Sequence, residues 1–165
     1  MSDGFEVRPA RAEDARAMAW VHVQGWRETY RGLLPDELLD DPGFLPRRER
    51  FWTTALTGER WTTHRFAVAE SGGSVIGIAG SAPAEEEEWD VHLNMLYLLS
   101  EHHGGGAGTA LLQAVVEPHE SAALWVADPN PRAQAFYRKH GFVPDGVSKV
   151  EDGVRDLRMV RAAAS

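Results

Sequence analysis

Apolar side chains recur at every third or fourth position over Ala15–Tyr30, a spacing that predicts an amphipathic helix with one buried face. Before this helix, Phe5–Arg8 alternates apolar and polar residues, which predicts a short strand. The segment after the helix contains three prolines, so only short helical elements are expected there. These elements are a helical turn at Asp36–Leu39 and a helix over Pro46–Leu56 that ends at Gly58.

The middle of the chain has the pattern of strands. Arg65–Glu70 and Ser74–Ala82 are strand-like runs joined by the three-residue connection Ser71-Gly72-Gly73, which predicts an antiparallel hairpin. The next apolar segment, Val91–Leu99, is dense enough to predict a central strand buried on both faces.

The last third of the chain alternates between strand and helix patterns. The predicted elements are a helix over Gly106–Glu117, a strand over Ala122–Ala127, a helix over Arg132–His140, and an antiparallel pair of strands at Phe142–Val147 and Val154–Val160. A meander followed by a β-α-β-α unit predicts a mixed α/β fold, with a sheet of about seven strands flanked by about four helices.

Length and composition narrow the class of protein. The chain has 165 residues, of which 43% are hydrophobic, enough to bury the core of a single domain spanning residues 1–165. The formal net charge of -8 repels phosphate backbones and anionic lipid, so neither nucleic acid nor a membrane surface is an expected partner. The absence of cysteine excludes disulfides, thiolate nucleophiles and cysteine-based zinc sites. No apolar run approaches the ~20 residues of a membrane span and no signal core is present, so we expect a cytoplasmic protein.

Four glycines, Gly104, Gly105, Gly106 and Gly108, occur within five positions between the predicted central strand and the next helix. Each glycine costs about 1 kcal/mol relative to alanine in a helix, so four of them at a helix entrance indicate that this backbone must be without side chains for a reason. An anion at the helix N-terminus has this need, because backbone N–H groups point at it and the missing Cβ atoms let it approach. The alternative is a flexible turn that merely tolerates glycine. The dinucleotide fingerprint fails at Thr109, where it requires glycine, and no Walker Gly-Lys-Ser/Thr tripeptide is present.

Three segments, in this order, resemble motifs of the GNAT family of acetyltransferases. His22–Pro35 resembles the first-helix segment of bacterial members, Leu96–Leu112 resembles motif A, and Asn130–Phe142 resembles motif B. The resemblance spans nearly the whole chain. It implies a splayed central sheet that binds acetyl-CoA, with no metal, and an N-acetyltransferase activity.

The resemblance also implies which residues bind acetyl-CoA. The backbone of Leu96, Tyr97 and Leu98 would pair with the pantetheine arm, and backbone N–H groups of Gly104–Thr109 would hold the diphosphate. The segment His103–Thr109 is called the glycine loop below. The full implied set is Leu96, Tyr97, Leu98, His103, Gly104, Gly105, Gly106, Ala107, Gly108, Thr109, Asn130, Ala133 and Tyr137. His103 stands where family members usually have Arg or Gln, and Gly105 where a basic residue is common, so this phosphate site is less cationic than usual.

Tyr137 matches the tyrosine of motif B and is the predicted general acid. A phenol with a pKa of about 10 is able to protonate a leaving thiolate, a role that typically contributes about 10²–10⁴-fold. Tyr137 could instead be a core aromatic, but Phe136 is expected to occupy the apolar face and to leave Tyr137 facing the cleft. Asn130 fits both the family's cofactor contact and a helix N-cap before Pro131. Without cysteine or a Gly-x-Ser-x-Gly motif, direct transfer in a ternary complex is the expected route.

The general base is predicted to be His92, which aligns with a position where the family often has Glu. An imidazole with a pKa of about 6.5 is suited to relay a proton from an ammonium group, directly or through water. A hydrogen-bonded histidine of the sheet is the alternative, and Glu88 and Asp90 are rival bases. The adjacent pair His102-His103 lacks the spacing of metal ligands, so no metal site is predicted.

The acceptor pocket is assigned by resemblance to Trp26, Glu28 and Tyr30 on the first helix. An aromatic wall with a carboxylate suits a cationic amine, although Trp26 and Tyr30 could simply complete the apolar face of the helix. We therefore expect acetyl transfer to a primary amine of a small cationic molecule. The alternatives are a protein N-terminus or lysine as acceptor, and a non-catalytic acyl-CoA-binding module. The sequence also leaves a homodimer open.

Overall fold

The computed structural model describes residues 4–84 and 87–164, which form a seven-stranded sheet and five α-helices. The strands are β1 (Phe5–Pro9), β2 (Arg65–Ser71), β3 (Ser74–Pro83), β4 (Val91–Leu98), β5 (Ala122–Asp128), β6 (Val143–Glu151) and β7 (Val154–Arg161). The helices are α1 (Ala15–Tyr30), α2 (Asp36–Leu39), α3 (Phe44–Thr57), α4 (Ala107–Val115) and α5 (Pro131–Lys139). The predicted mixed α/β fold is confirmed.

The sheet is split between β4 and β5. The strand order is β1-β2-β3-β4-β5-β7-β6, and β4 and β5 are its parallel neighbours. These two strands pair only at Val91 with Ala122 and at His92 with Ala123, whereas β3 pairs with β4 along nearly its whole length. Within the described residues, the edge of β4 that faces β5 has no strand partner beyond His92, so backbone groups before the Leu98 carbonyl are available to a ligand.

Helices cover both faces of the sheet and create two hydrophobic cores. On one face, Leu111 and Leu112 of α4 are fully buried. On the other face, Met18 of α1 and Trp52 of α3 are fully buried. Burial of each such side chain contributes about 1.5–3 kcal/mol, so the two cores hold the helices firmly on either side of the split.

A β-bulge at Asn94 changes which side chains of β4 face each core. Leu93 pairs with Ser81 and Met95 pairs with Gly80, so Asn94 is an extra residue on β4. As a result Leu93 and Leu96 both contact the core between the sheet and α4 (the α4 core), although they are three positions apart. Met95 contacts the core between the sheet and helices α1 and α3 (the α1–α3 core). The inserted residue reverses the two-residue alternation for the rest of the strand.

Two predictions about the strands are wrong. Ser71 pairs with Ser74, so the β2–β3 connection has two residues instead of three, and Gly72 and Gly73 both adopt positive φ angles, 58° and 82°. Two positive φ angles are the geometry of a two-residue hairpin turn. The strand at Val91–Leu99 is not buried on both faces, because Met95–Leu98 are only partly buried where β4 and β5 separate.

The predicted helices lie in the right places, with ends that differ by a few residues. The helix predicted over Pro46–Leu56 begins at Phe44, because the Asp41 carboxylate accepts a hydrogen bond from Gly43 N–H (2.9 Å) just before its first turn. The helix predicted to reach Glu117 ends at Val115, since Val116 is already extended. Among the described residues, no helix is long and apolar enough to cross a membrane.

The α1–α3 core contains a buried polar pair. Trp52 Nε1–H donates a hydrogen bond to His22 Nδ1 at 3.2 Å, and the His22 ring lies 5.3 Å from the ring of Tyr97 on β4. Burial lowers the pKa of His22 to about 3, and the nearby charge of Arg48 adds to this effect. The imidazole is therefore neutral in the folded protein, with its proton on Nε2.

We expect the free energy of unfolding to fall as the pH decreases from 6.5 toward 3. The unfolded chain binds a proton on His22 below its ordinary pKa of 6.5, but the folded protein does not until about 3, so acid favours unfolding. Between pH 7 and pH 5 the loss is about 2 kcal/mol from this residue. Urea unfolding of the wild type and of His22→Phe at pH 7 and pH 5 measures how much of the change in the free energy of unfolding comes from His22. An equal pH dependence in the variant would contradict the assignment.

Candidate active site

A cavity of about 460 Å³ lies beyond the paired ends of β4 and β5. Its walls come from the C-terminal half of α1, the end of β4, the glycine loop and α5. Of the residues implied to bind acetyl-CoA, it brings together Leu96, Tyr97, Leu98, His103, Gly104, Gly106, Gly108, Thr109, Asn130, Ala133 and Tyr137. Residues far apart in the sequence therefore meet at the split of the sheet.

Another cavity, of about 490 Å³, lies between the end of α3 and the β1–β2 edge. It contains none of the predicted site residues. Its arginines are engaged elsewhere, since Arg8 forms an ion pair with Asp14 and Arg65 forms one with Glu120. The cavity at the split is therefore the candidate active site.

The glycine loop is shaped by two left-handed residues. Gly104 has a φ of 87°, and Gly106, the N-cap of α4, has a φ of 93°. Such angles strain any residue with a Cβ. The first helical hydrogen bond of α4 is donated by Ala110 N–H to the carbonyl of Gly106, so the preceding amides at the start of the helix have no partner within the helix. This arrangement suits an anion.

The start of α4 also lies close to α5. A Cβ on Gly108 would lie 3.3 Å from the Phe136 ring, and the Thr109 hydroxyl is 3.0 Å from His140 Nε2. At the N-terminus of α5, Asn130 is the N-cap, and its side-chain oxygen accepts a hydrogen bond from Ala133 N–H (3.2 Å). The capping interpretation of Asn130 is thus confirmed, and the same residue borders the cavity.

Comparison with known proteins agrees with this geometry. Residues 15–142 match the model of the acetyltransferase (GNAT) family. The chain belongs to the GNAT family. It is 31% identical over 160 residues to the Bacillus subtilis "Uncharacterized N-acetyltransferase YuaI", covering 93% of this chain and 87% of that one. It is also 31% identical over 146 residues to the "Probable N-acetyltransferase Rv2775" of Mycobacterium tuberculosis, covering 86% and 82% of the two chains.

Solved structures share the GNAT fold over the whole chain. The PaiA N-acetyltransferase of Thermoplasma acidophilum, solved in complex with coenzyme A, has a TM-score of 0.72 at 19% identity, covering 98% of this chain and 99% of that one. A protein described as histone acetyltransferase HPA2 and related acetyltransferase, from Corynebacterium glutamicum, has a TM-score of 0.71 at 23% identity, covering 100% and 98%. The resemblance seen in the motifs is confirmed, and the chain is an acetyltransferase of this family.

Two tyrosines of this GNAT protein border the cavity. Tyr137 is buried and its ring lies 5.3 Å from Phe136 and 5.8 Å from Phe142. The prediction that Phe136 occupies the apolar face and leaves Tyr137 facing the cleft is wrong, because Phe136 is only partly buried and Tyr137 is the more buried of the two. Tyr137 still reaches the cavity, as does Tyr97, and burial raises the pKa of both hydroxyls above the ordinary value of 10. Both phenols therefore remain protonated at neutral pH.

His92 does not line the cavity. It is partly buried at the paired end of β4, opposite Ala123, and burial lowers its pKa. It lies four residues before Leu96, about 13 Å along an extended strand. Of the rival bases, Asp90 accepts a hydrogen bond from Ser121 N–H (2.9 Å) and Glu88 is exposed. Neither of these carboxylates lines the cavity.

Of the three predicted acceptor residues on α1, Glu28 alone lines the cavity. Glu28 borders the cavity and accepts a hydrogen bond from the Ser100 hydroxyl (2.7 Å). Trp26 and Tyr30 instead pack against each other at 5.3 Å, in a cluster that includes Phe44. The alternative, in which they complete the apolar face of α1, is confirmed.

Two of the implied cofactor residues also lie outside the lining of the cavity. Ala107 is buried in the α4 core, and Gly105 is partly buried within the loop. Among the described residues no group of three or more His, Asp or Glu side chains is arranged to hold a metal ion.

Sequence reasoning missed several residues that border the cavity. One of them is Gly25, against which the Tyr97 ring packs so closely that a Cβ there would lie 2.7 Å from that ring. The other missed residues are Thr29, Pro129, Pro131, Arg132, Phe136 and Lys139. A basic residue directly after Pro131, at the start of a helix, was the one available signal for Arg132.

Proposed function

We propose that this GNAT acetyltransferase transfers the acetyl group of acetyl-CoA directly to a primary amine of a small cationic molecule in a ternary complex. The single observation that supports it most is the cavity itself, which joins an anion-binding loop to a buried phenol. The residues fit the donor substrate. In the described part of the chain, the amides at the start of α4 are left without helical partners and suit a diphosphate, and the edge of β4 beyond His92, which pairs with no strand, suits the amides of a pantetheine arm.

Tyr137 is the proposed general acid. Tyr137 borders the cavity, and burial keeps its hydroxyl protonated, so it is able to donate a proton to the thiolate as the thioester bond breaks. The chain contains no cysteine to form an acyl-enzyme, which favours direct attack of the amine on the thioester carbonyl.

His92 is the proposed general base, acting through water. Since its side chain lies outside the cavity lining, it reaches the ammonium group only by way of intervening water molecules. Its pKa, lowered by burial, keeps the imidazole neutral near pH 7 and thus able to accept a proton.

The cationic acceptor is supported by Glu28, the carboxylate that lines the cavity, and by the net charge of -8. We expect Glu28→Gln to raise the KM for a cationic amine about two- to fivefold, because an exposed ion pair is worth little more. Glu49→Gln on α3 changes the net charge equally outside the cavity and serves as the control. Equal effects of the two variants would point to the overall field of the protein instead.

A panel of amines tests the proposed function. Release of the CoA thiol from acetyl-CoA is measured with a polyamine, an aminoglycoside, a peptide with a free N-terminus and a lysine peptide. Turnover of the small amines supports the proposal. Turnover of the peptides alone assigns a protein acceptor. Binding of acetyl-CoA, seen as a rise in Tm, without turnover of any amine identifies an acyl-CoA-binding module.

A further inference from the structure

The glycine loop of this chain lacks its own cation. His103 stands where motif A usually has Arg or Gln, and Gly105 stands where a basic residue is common, yet the donor substrate proposed above carries several phosphate charges. Free backbone amides supply partial charges only. A phosphate site in a protein with 25 acidic and 17 basic residues needs a full positive charge nearby, because the overall field is repulsive.

We propose that Arg132, held in place by His103, supplies this charge and binds a phosphate group of CoA. The inference rests on the proposed function, because it requires CoA to occupy the cavity. His103 is then a positioning residue, acting on the ligand through Arg132.

The hydrogen bonds of His103 hold its ring in one orientation. The Nε2 atom is 2.8 Å from the carbonyl oxygen of Leu98, at the end of β4. The Nδ1 atom contacts the guanidinium of Arg132, at the start of α5. One neutral tautomer satisfies both contacts, with Nε2–H donating to Leu98 and Nδ1 accepting from Arg132. The imidazole therefore bridges the end of β4 and the start of α5, and all three residues line the cavity.

The charge of Arg132 is left uncompensated by this contact. Arg8, Arg31 and Arg65 each form an ion pair with a carboxylate. Within residues 4–84 and 87–164, by contrast, the side-chain hydrogen bond of Arg132 goes to the imidazole of His103 and not to a carboxylate. A cation in the first turn of a helix also interacts unfavourably with the helix dipole, so the stability of the helix gives no reason for it.

The position of Arg132 suits a phosphate bound at the glycine loop. Its exposed side chain borders the cavity together with Gly104 and Gly106, whose backbone leaves room for an anion. A guanidinium binds phosphate oxygens through two parallel hydrogen bonds, which a single backbone amide does not do. Lys139 also borders the cavity, but it lies seven residues further along α5, about 10 Å away.

Calorimetric titrations with CoA, dephospho-CoA and pantetheine test the proposal. We expect Arg132→Gln to weaken CoA binding about 10- to 100-fold, as for loss of a charged hydrogen bond, and to leave pantetheine binding unchanged. If the loss persists with dephospho-CoA, Arg132 binds the diphosphate, and if it disappears there, Arg132 binds the 3′-phosphate. Unchanged CoA affinity overturns the proposal, and so does an equal loss for pantetheine, which carries no phosphate.

Two further variants separate positioning from folding. Arg138→Gln removes an exposed charge from the same helix outside the cavity lining, so CoA affinity stays at the wild-type value. His103→Phe weakens CoA binding by itself but adds nothing in the presence of Arg132→Gln, since it acts through that side chain. Additive losses would overturn the positioning role. These titrations need no amine, so a protein that binds CoA but transfers nothing contradicts only the proposed function.

Discussion

Replacing Tyr137 with phenylalanine lowers the kcat of acetyl transfer about 10²–10⁴-fold, the usual contribution of a general acid. The thiolate then leaves without a proton donor. The ring packing against Phe136 and Phe142 is preserved, so the affinity for acetyl-CoA and the Tm change little. Release of the CoA thiol at saturating donor and amine gives kcat, and calorimetry gives the affinity.

Tyr97→Phe is the matched variant, because Tyr97 is the other phenol that borders the cavity. Within the described part of the chain, neither hydroxyl has a hydrogen-bonding side chain as partner. If Tyr97→Phe abolishes turnover and Tyr137→Phe does not, Tyr97 is the acid. Wild-type kcat in both variants removes general acid catalysis by a phenol from the mechanism.

The second large effect is expected at the glycine loop. Changing Gly104 and Gly106 to alanine together lowers the affinity for acetyl-CoA about 10²-fold. Each residue has a positive φ near 90°, where a Cβ costs about 1–2 kcal/mol, so the loop changes shape and its amides no longer converge. Calorimetric titration with CoA measures the loss.

The β2–β3 turn offers a control with the same backbone cost. Gly72 and Gly73 also have positive φ angles, 58° and 82°, and a Cβ at either position would meet no atom within 4 Å. Changing both to alanine is expected to lower Tm while CoA affinity stays at the wild-type value. CoA affinity that is unchanged in the loop variant would show that the loop does not hold the diphosphate.

The positions of the strands and helices could be predicted because the signals are local. The apolar spacing of Ala15–Tyr30 and the glycines beside Val91–Leu98 depend on the repeat of each element and on turn chemistry, which neighbouring residues determine. The errors fall where distant segments act. Neither the bulge at Asn94 nor the partial exposure of Met95–Leu98 is visible in the sequence, since both arise from how β4 meets β3 and β5.

For the candidate site, the sequence alone determined the position of the glycine loop before α4 and of the residues that share motifs with it, because their spacing is set along one stretch of chain. Only the tertiary structure decided which neighbours reach the cavity. Glu28 lines the cavity, whereas Trp26 packs in a hydrophobic cluster and His92 lies outside the cavity. The fold also brings His103 into contact with Arg132, which is 29 positions later in the sequence. The physical reason is packing. The direction in which a side chain points depends on how its helix or strand docks against the split sheet, which local propensity does not encode.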